Sequence, residues 1–151
     1  KKNKICEVDI LDNNFLIEKK SVQKSLFDEN YFLYYETFDF TFNLKKRGKK
    51  LYVVKKINFQ HLGTSLPSSL ANLVRKTRSF HYNWSKFYYF KKNFSYLFAI
   101  RKILPNIIKA IKKICIGFMQ LDSKTIQLAS IELLGIFSSI LLFKSFYRPK
   151  N

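Results

Sequence analysis

Glu36, Asp39 and His61 are the side chains whose types and spacing suit chemistry. Glu36 and Asp39 are three residues apart, so a helix running through them puts both carboxylates on one face. A carboxylate within hydrogen-bond reach of a hydroxyl works as a general base. A neutral imidazole is a suitable ligand for a divalent metal, or a contact for a diphosphate. Each has a plainer reading beside it: two acids on a helix face also suit a solvated surface, and a lone His at the end of a strand also suits a satisfied polar residue.

The elements that must position them lie in residues 27–65, FDENYFLYYETFDFTFNLKKRGKKLYVVKKINFQHLGTS. Asp28, Glu29 and Asn30 are turn residues ahead of an aromatic run, a usual way for a helix to begin. The spacing predicts a helix over 34–47, with Tyr35, Phe38 and Phe42 on one face and Glu36, Asp39 and Asn43 on the other. Lys45, Lys46 and Arg47 complement the negative end of its dipole, and Gly48 supplies a residue free to take positive φ. Residues 51–60 have the β-branched and aromatic content of a strand, with Ile57, Phe59 and His61 on one side. Leu62-Gly63-Thr64-Ser65 then breaks the strand, which leaves His61 at its tip, on the edge of a cleft that receives Glu36 and Asp39.

The string from FDE through FLYYETFDF and the basic turn at Gly48 to His61-x-Gly63-x-Ser65 resembles the second half of the catalytic domain of family 2 glycosyltransferases, especially the rhamnosyltransferase-like polysaccharide enzymes. The resemblance covers about residues 7–92, and RSFHYNWSKFYYFKKN is similar to the basic and aromatic string found there. It implies a GT-A fold, a nucleotide-sugar donor, inversion at the anomeric carbon, a carboxylate base and a divalent cation, Mg2+ or Mn2+. On the matching positions Glu36 is the expected base with Asp39 second, His61 a metal ligand, and Arg78, His81 and Lys86 the contacts to substrate and diphosphate. The family usually shows Glu-Asp where this chain has Glu36-Thr37, and a threonine cannot take a proton from a sugar hydroxyl at neutral pH.

The sequence begins without a methionine, its only one being Met119, and contains no Asp-x-Asp, so the expectation is a piece of a longer protein whose donor-binding half and main cation ligands lie outside it. Such a piece alone is not expected to turn over. The expected fold class is α/β: the C-terminal part of a GT-A, Rossmann-like domain at 1–70, then an all-helical, membrane-associated region at 71–151. Residues 6–17 read as a strand with its loop, and 18–25 as a short polar helix or turn.

The formal net charge is +18, and no acid occurs between Phe40 and Leu121 against eighteen Lys and Arg. Such a field attracts phosphates on nucleotide, lipid or nucleic acid. Cys6 and Cys115 are far apart and form neither a CxxC nor a disulfide framework, which fits a reducing cytoplasm. Residues 96–118 carry Ile103, Leu104, Ile107, Ile108, Ile111, Ile114, Cys115 and Phe118 on one helical face and Arg101, Lys102, Lys109, Lys112 and Lys113 on the other, with Pro105 expected to kink or break the helix. A basic amphipathic helix of this kind suits anionic lipid, or packing against a domain. Residues 125–143 are strongly apolar, but Glu132 near their middle argues for an embedded or packing helix over a lone span.

The implied partners are therefore a nucleotide-sugar donor, a glycan or lipid-linked acceptor and the cytoplasmic face of the cell membrane. One alternative is an inactive relative, given Thr37 and the absent front half. Another is a basic nucleic-acid-binding module, suggested by the charge and 17% aromatic content. No recognition motif supports the second, and isoleucine-rich helices read a groove poorly, so no nucleic-acid partner is expected.

Overall fold

The computed structural model describes residues 5–11, 15–18, 20, 27–55, 60 and 67–148, and helices hold 64% of them. The order is β1 Ile5–Val8, α1 Glu36–Lys46, β2 Leu51–Val54, α2 Ser68–Asn93, α3 Tyr96–Met119 and α4 Ser123–Ile140. The chain forms two compact units, one of residues 1–29 and 36–65 and the other of 30–35 and 66–151.

This overturns the α/β, Rossmann-like expectation. The only sheet among the described residues is a two-stranded antiparallel ribbon, with Ile5 opposite Val54 and Val8 opposite Leu51. Of β2 only Leu51 is buried, and Tyr52, Val53 and Val54 face outward. A ribbon in which β1 buries no residue and β2 only Leu51 is unlike the strands of a doubly wound sheet, which are buried on both faces. The strand expected over 51–60 is described only as far as Val54, and residues 56–59 and His61 lie outside the described residues.

In the first unit, α1 turns Phe40 and Leu44 inward against Leu51, Val8, Leu11, Phe15 and Ile17. Burying Phe40, Leu44 and Leu51 contributes roughly 1.5–3 kcal/mol each. Thr37, Phe40, Thr41 and Leu44 are all buried, at the i, i+3, i+4, i+7 spacing of a packed stripe. The Tyr35, Phe38 and Phe42 face expected from the sequence is not this stripe. The helix ends where Gly48 takes φ +76°. Gly48 N–H donates to the Lys45 carbonyl at 2.8 Å and Lys49 N–H to Leu44 at 3.0 Å, closing a Schellman cap.

In the second unit, α2, α3 and α4 pack mutually around Phe87, Ala99, Ile103 and Ile136. Ser95 caps α3, accepting from Phe98 N–H at 3.2 Å, and Asp122 caps α4, accepting from Lys124 and Thr125 N–H. Pro105 does not break α3, which runs through it. Arg101, whose carbonyl loses its helical partner there, is exposed, so water can satisfy it. Glu132 is held at 2.7 Å by Lys113 of α3, which explains a carboxylate inside an apolar helix. No helix among the described residues is long and apolar enough to cross a membrane.

Helices α2 and α4 approach so closely that a Cβ on Gly135 would lie 2.4 Å from the Phe80 carbonyl oxygen. Leu121 and Leu142, which close the ends of α3 and α4, take φ +53° and +63°. Leucine in that left-handed region costs about 1–2 kcal/mol, a cost glycine avoids.

Candidate functional site

The chain passes from the second unit to the first between Tyr35 and Glu36, through an unusual piece of backbone. Tyr34 and Tyr35 both take φ +66°, and for this reason α1 starts at Glu36, two residues later than its spacing predicts. Two consecutive left-handed tyrosines cost on the order of 1–3 kcal/mol each and persist only where the surroundings impose them. Helix α2 imposes them here: Ser85 Oγ donates to the Leu33 carbonyl at 2.8 Å, and Tyr34 and Tyr35 lie against Tyr82 at 5.7 and 6.0 Å between ring centres. Tyr35 also meets Tyr89 at 5.4 Å. Burial, reinforced by the Tyr82 and Tyr89 hydroxyls, pushes the Tyr35 phenol above its ordinary pKa.

Directly after this pair stands Glu36, the first residue of α1, whose Oε2 is buried and accepts no hydrogen bond among the described residues. Such an oxygen is costly in a fold that does not use it. Asp39, one turn on, is buried to 3% exposure and engaged within the protein, and its backbone carbonyl accepts from Asn43 Nδ2 at 2.7 Å. Thr37 is buried as well, and its carbonyl accepts from Thr41 Oγ1 at 2.9 Å. The two acids share the first turn of α1, with Glu36 presenting the open oxygen. Neither belongs to a purely solvated face.

His81 of α2 is fully buried. The Tyr147 carbonyl can only accept, so Nε2 carries the proton and donates to it across 2.7 Å, and Nδ1 accepts from the Ser145 hydroxyl at 2.9 Å. Arg148 Nη1 donates to the same carbonyl at 3.1 Å, and its guanidinium lies 3.8 Å from the centre of the Phe32 ring. Both imidazole nitrogens are thus engaged within the protein, and His81 pins residues 145–148 onto α2. Trp84 Nε1 extends the seam, donating to the Phe143 carbonyl at 3.0 Å.

Arg78, one turn before His81, is exposed. Lys86 lies five residues beyond His81, about 140° away around the helix, so α2 does not bring the two together. Its Nζ donates to Asn106 Oδ1 at 2.8 Å, and Asn106 Nδ2 donates to Asn83 Oδ1 at 2.7 Å. Burial, with the charge of Lys102 second, lowers the Lys86 pKa. This polar relay between α2 and α3 was not anticipated from sequence; the signal available was an Asn in each of two otherwise apolar helix faces.

Burial lowers the His81 pKa below its ordinary 6.5; the Tyr147 hydrogen bond opposes this, and Arg148 reinforces it. A depressed folded-state pKa means that the unfolded chain takes up a proton first as pH falls, so stability declines from about pH 6.5 downward. The urea midpoint should therefore drop between about pH 7.5 and about pH 5.5. In His81→Asn, which keeps a donor and an acceptor without titrating, the profile should be flatter, and an unchanged slope would exclude His81 as the cause.

No three His, Cys, Asp or Glu side chains among the described residues converge on one point, and His61, the expected metal ligand, lies outside those residues. A cavity of the second unit, walled by the stacked rings of Trp84 and Tyr88 with Lys91 and Lys144, holds about 80 Å³. Ligand pockets usually need roughly 300 Å³ or more, so a nucleotide sugar does not fit in it. No family model, curated protein or solved structure matches this chain.

Proposed function

We propose that these residues are the acceptor-side part of an inverting glycosyltransferase, moving a sugar from a nucleotide-sugar donor to a lipid-linked or cell-surface glycan at the cytoplasmic face of the membrane, with Glu36 as general base. The observation that carries this reading is the buried Glu36 oxygen, without a hydrogen-bond partner among the described residues and set directly after a strained tyrosine pair. It falls in the middle of the string that resembles family 2 glycosyltransferases.

An unpaired carboxylate oxygen keeps a lone pair for a hydroxyl proton. The acceptor hydroxyl would give its proton to Glu36 as its oxygen attacks the anomeric carbon. The nucleoside diphosphate then leaves from the opposite face with the bonding electrons, which inverts the configuration. Asp39, buried and engaged, suits the support of α1 better than proton transfer. Exposed Arg78 is free to meet phosphate charge, whereas His81 serves the packing of its own unit. Any cation falls to the donor-binding side, outside the described residues. The reading invokes no Rossmann-like sheet.

The test uses the whole polypeptide that carries these residues, a panel of nucleotide sugars and a lipid-linked glycan acceptor. Release of nucleoside diphosphate is expected with one of the donors, in step with glycosylation of the acceptor. If no donor is consumed under any condition, the transferase reading fails and the inactive-relative alternative stands.

A further inference from the structure

Helix α3 has an apolar face too wide for one purpose, and the bundle divides it. Ala99, Ile103, Ala110 and Gly117 are buried against α2 and α4. A second stripe, Leu104, Ile108, Ile111, Cys115 and Phe118, repeats at the i, i+4, i+7, i+11, i+14 spacing of one helix face and stays exposed. It runs about 21 Å along the helix. It continues through Met119, the last residue of the helix, to Leu121, and these are 85% and 90% exposed.

Leu121 adds a separate indication. The cap at that position favours glycine, yet the chain sets a strained leucine there and turns its side chain outward.

Arg101, Lys109 and Lys112 flank one side of the stripe. All three are exposed, and none has an ion-pair partner among the described residues. The unit holds fifteen Lys and Arg against two acids, Asp122 and Glu132, and Glu132 is already paired. From this we infer that the outer face of α3 is a docking surface for an anionic lipid bilayer. The helix lies in the interfacial plane, with Leu104 to Phe118 among the upper acyl chains and the flanking cations at the headgroup phosphates.

Charge decides between a bilayer and a second copy of this chain as occupant. A two-fold contact through the stripe would bring both sets of Arg101, Lys109 and Lys112 together, with no acid on the face to neutralise them. An anionic surface supplies the missing sign. The inference rests on the second unit alone and survives failure of the transferase reading.

Cys115 sits within the stripe and is exposed, so it reports directly on the contact. The chain carrying Cys6→Ser is labelled at Cys115 with a small fluorophore and mixed with phosphatidylglycerol-containing or pure phosphatidylcholine vesicles. Brominated acyl chains should quench the label strongly in the anionic vesicles and little in the neutral ones. Added salt should reverse binding in part, because it screens the lysines and not the apolar contact. Ile108→Glu with Ile111→Glu should lower vesicle partitioning by at least about tenfold. Lys109→Gln with Lys112→Gln, at exposed positions whose change leaves the bundle core intact, should weaken the preference for anionic lipid. A label unquenched by anionic vesicles, a Lys109/Lys112 variant that binds them as the parent does, or label-to-label contact without lipid, which marks a second copy as the occupant, would each overturn the inference.

Discussion

On the proposed transferase reading, replacing Glu36 with Gln should lower kcat by roughly 10² to 10⁴, the usual contribution of a positioned general base, while leaving donor affinity nearly unchanged. Gln keeps the size and one acceptor oxygen but cannot take the acceptor proton, so the loss should fall on kcat more than on KM. Asp39→Asn serves as the comparison. Asp39 is buried, so its substitution should reach activity through stability, visible as a lower unfolding midpoint together with a smaller kcat effect. If Asp39→Asn costs more kcat at unchanged stability, Asp39 is the base and the assignment is reversed. Thr37→Asp tests the carboxylate that the resemblance would place at this position. Thr37 is buried in the α1 stripe, so the new charge should destabilise the first unit without raising the rate.

Gly135→Ala should be the most damaging small substitution in the second unit. The added methyl would overlap the Phe80 backbone at 2.4 Å, and neither a carbonyl oxygen nor the helix carrying it can rotate aside as a side chain can. Helices α2 and α4 would have to separate, loosening Phe87 and Ile136 at the core. The expected loss is about 3 kcal/mol or more, which lowers Tm by more than about 10 °C in a unit of this size. Gly48→Ala is the contrasting case: nothing lies within 4 Å of its would-be Cβ, and only its φ of +76° opposes the change. About 1 kcal/mol is expected there. Equal losses at the two positions would mean that backbone freedom, and not the close approach of the helices, explains Gly135.

What could be read from sequence was local. The end of α1 at Gly48 and the helical character of α3 and α4 follow from spacing and capping residues a few positions apart. The same information could not choose between two apolar faces of α1, because Phe40 and Leu44 are selected by Val8, Leu11 and Phe15, far away in sequence. Nor could periodicity tell which part of the wide α3 stripe is buried. The sheet was misjudged because a strand has no class of its own: a likeness supplied parallel neighbours that the described residues do not contain. His81 looked like a phosphate contact among arginines and aromatics until Ser145 and Tyr147, more than sixty residues on, took both its nitrogens. Glu36 and Asp39 were legible as a pair, yet the strained tyrosines ahead of them were not, since Tyr34 and Tyr35 are held left-handed by rings on α2.

Helix α2 takes its polar partners from both directions along the chain: Leu33 lies 52 residues before Ser85, while Phe143 and Tyr147 lie 59 and 66 residues after Trp84 and His81. On a ribosome these partners arrive at very different times. The Leu33 segment is already outside when α2 emerges, but the Phe143 and Tyr147 carbonyls follow only about 3–12 s later at ordinary elongation rates. Throughout that interval the Trp84 and His81 donors have no protein partner, and burying them would forfeit their bonds to water. The nascent second unit should therefore stay partly open over that interval, with the aromatic face of α2 accessible to chaperones during synthesis. Stalling translation just before residue 143 should leave it trapped in that state.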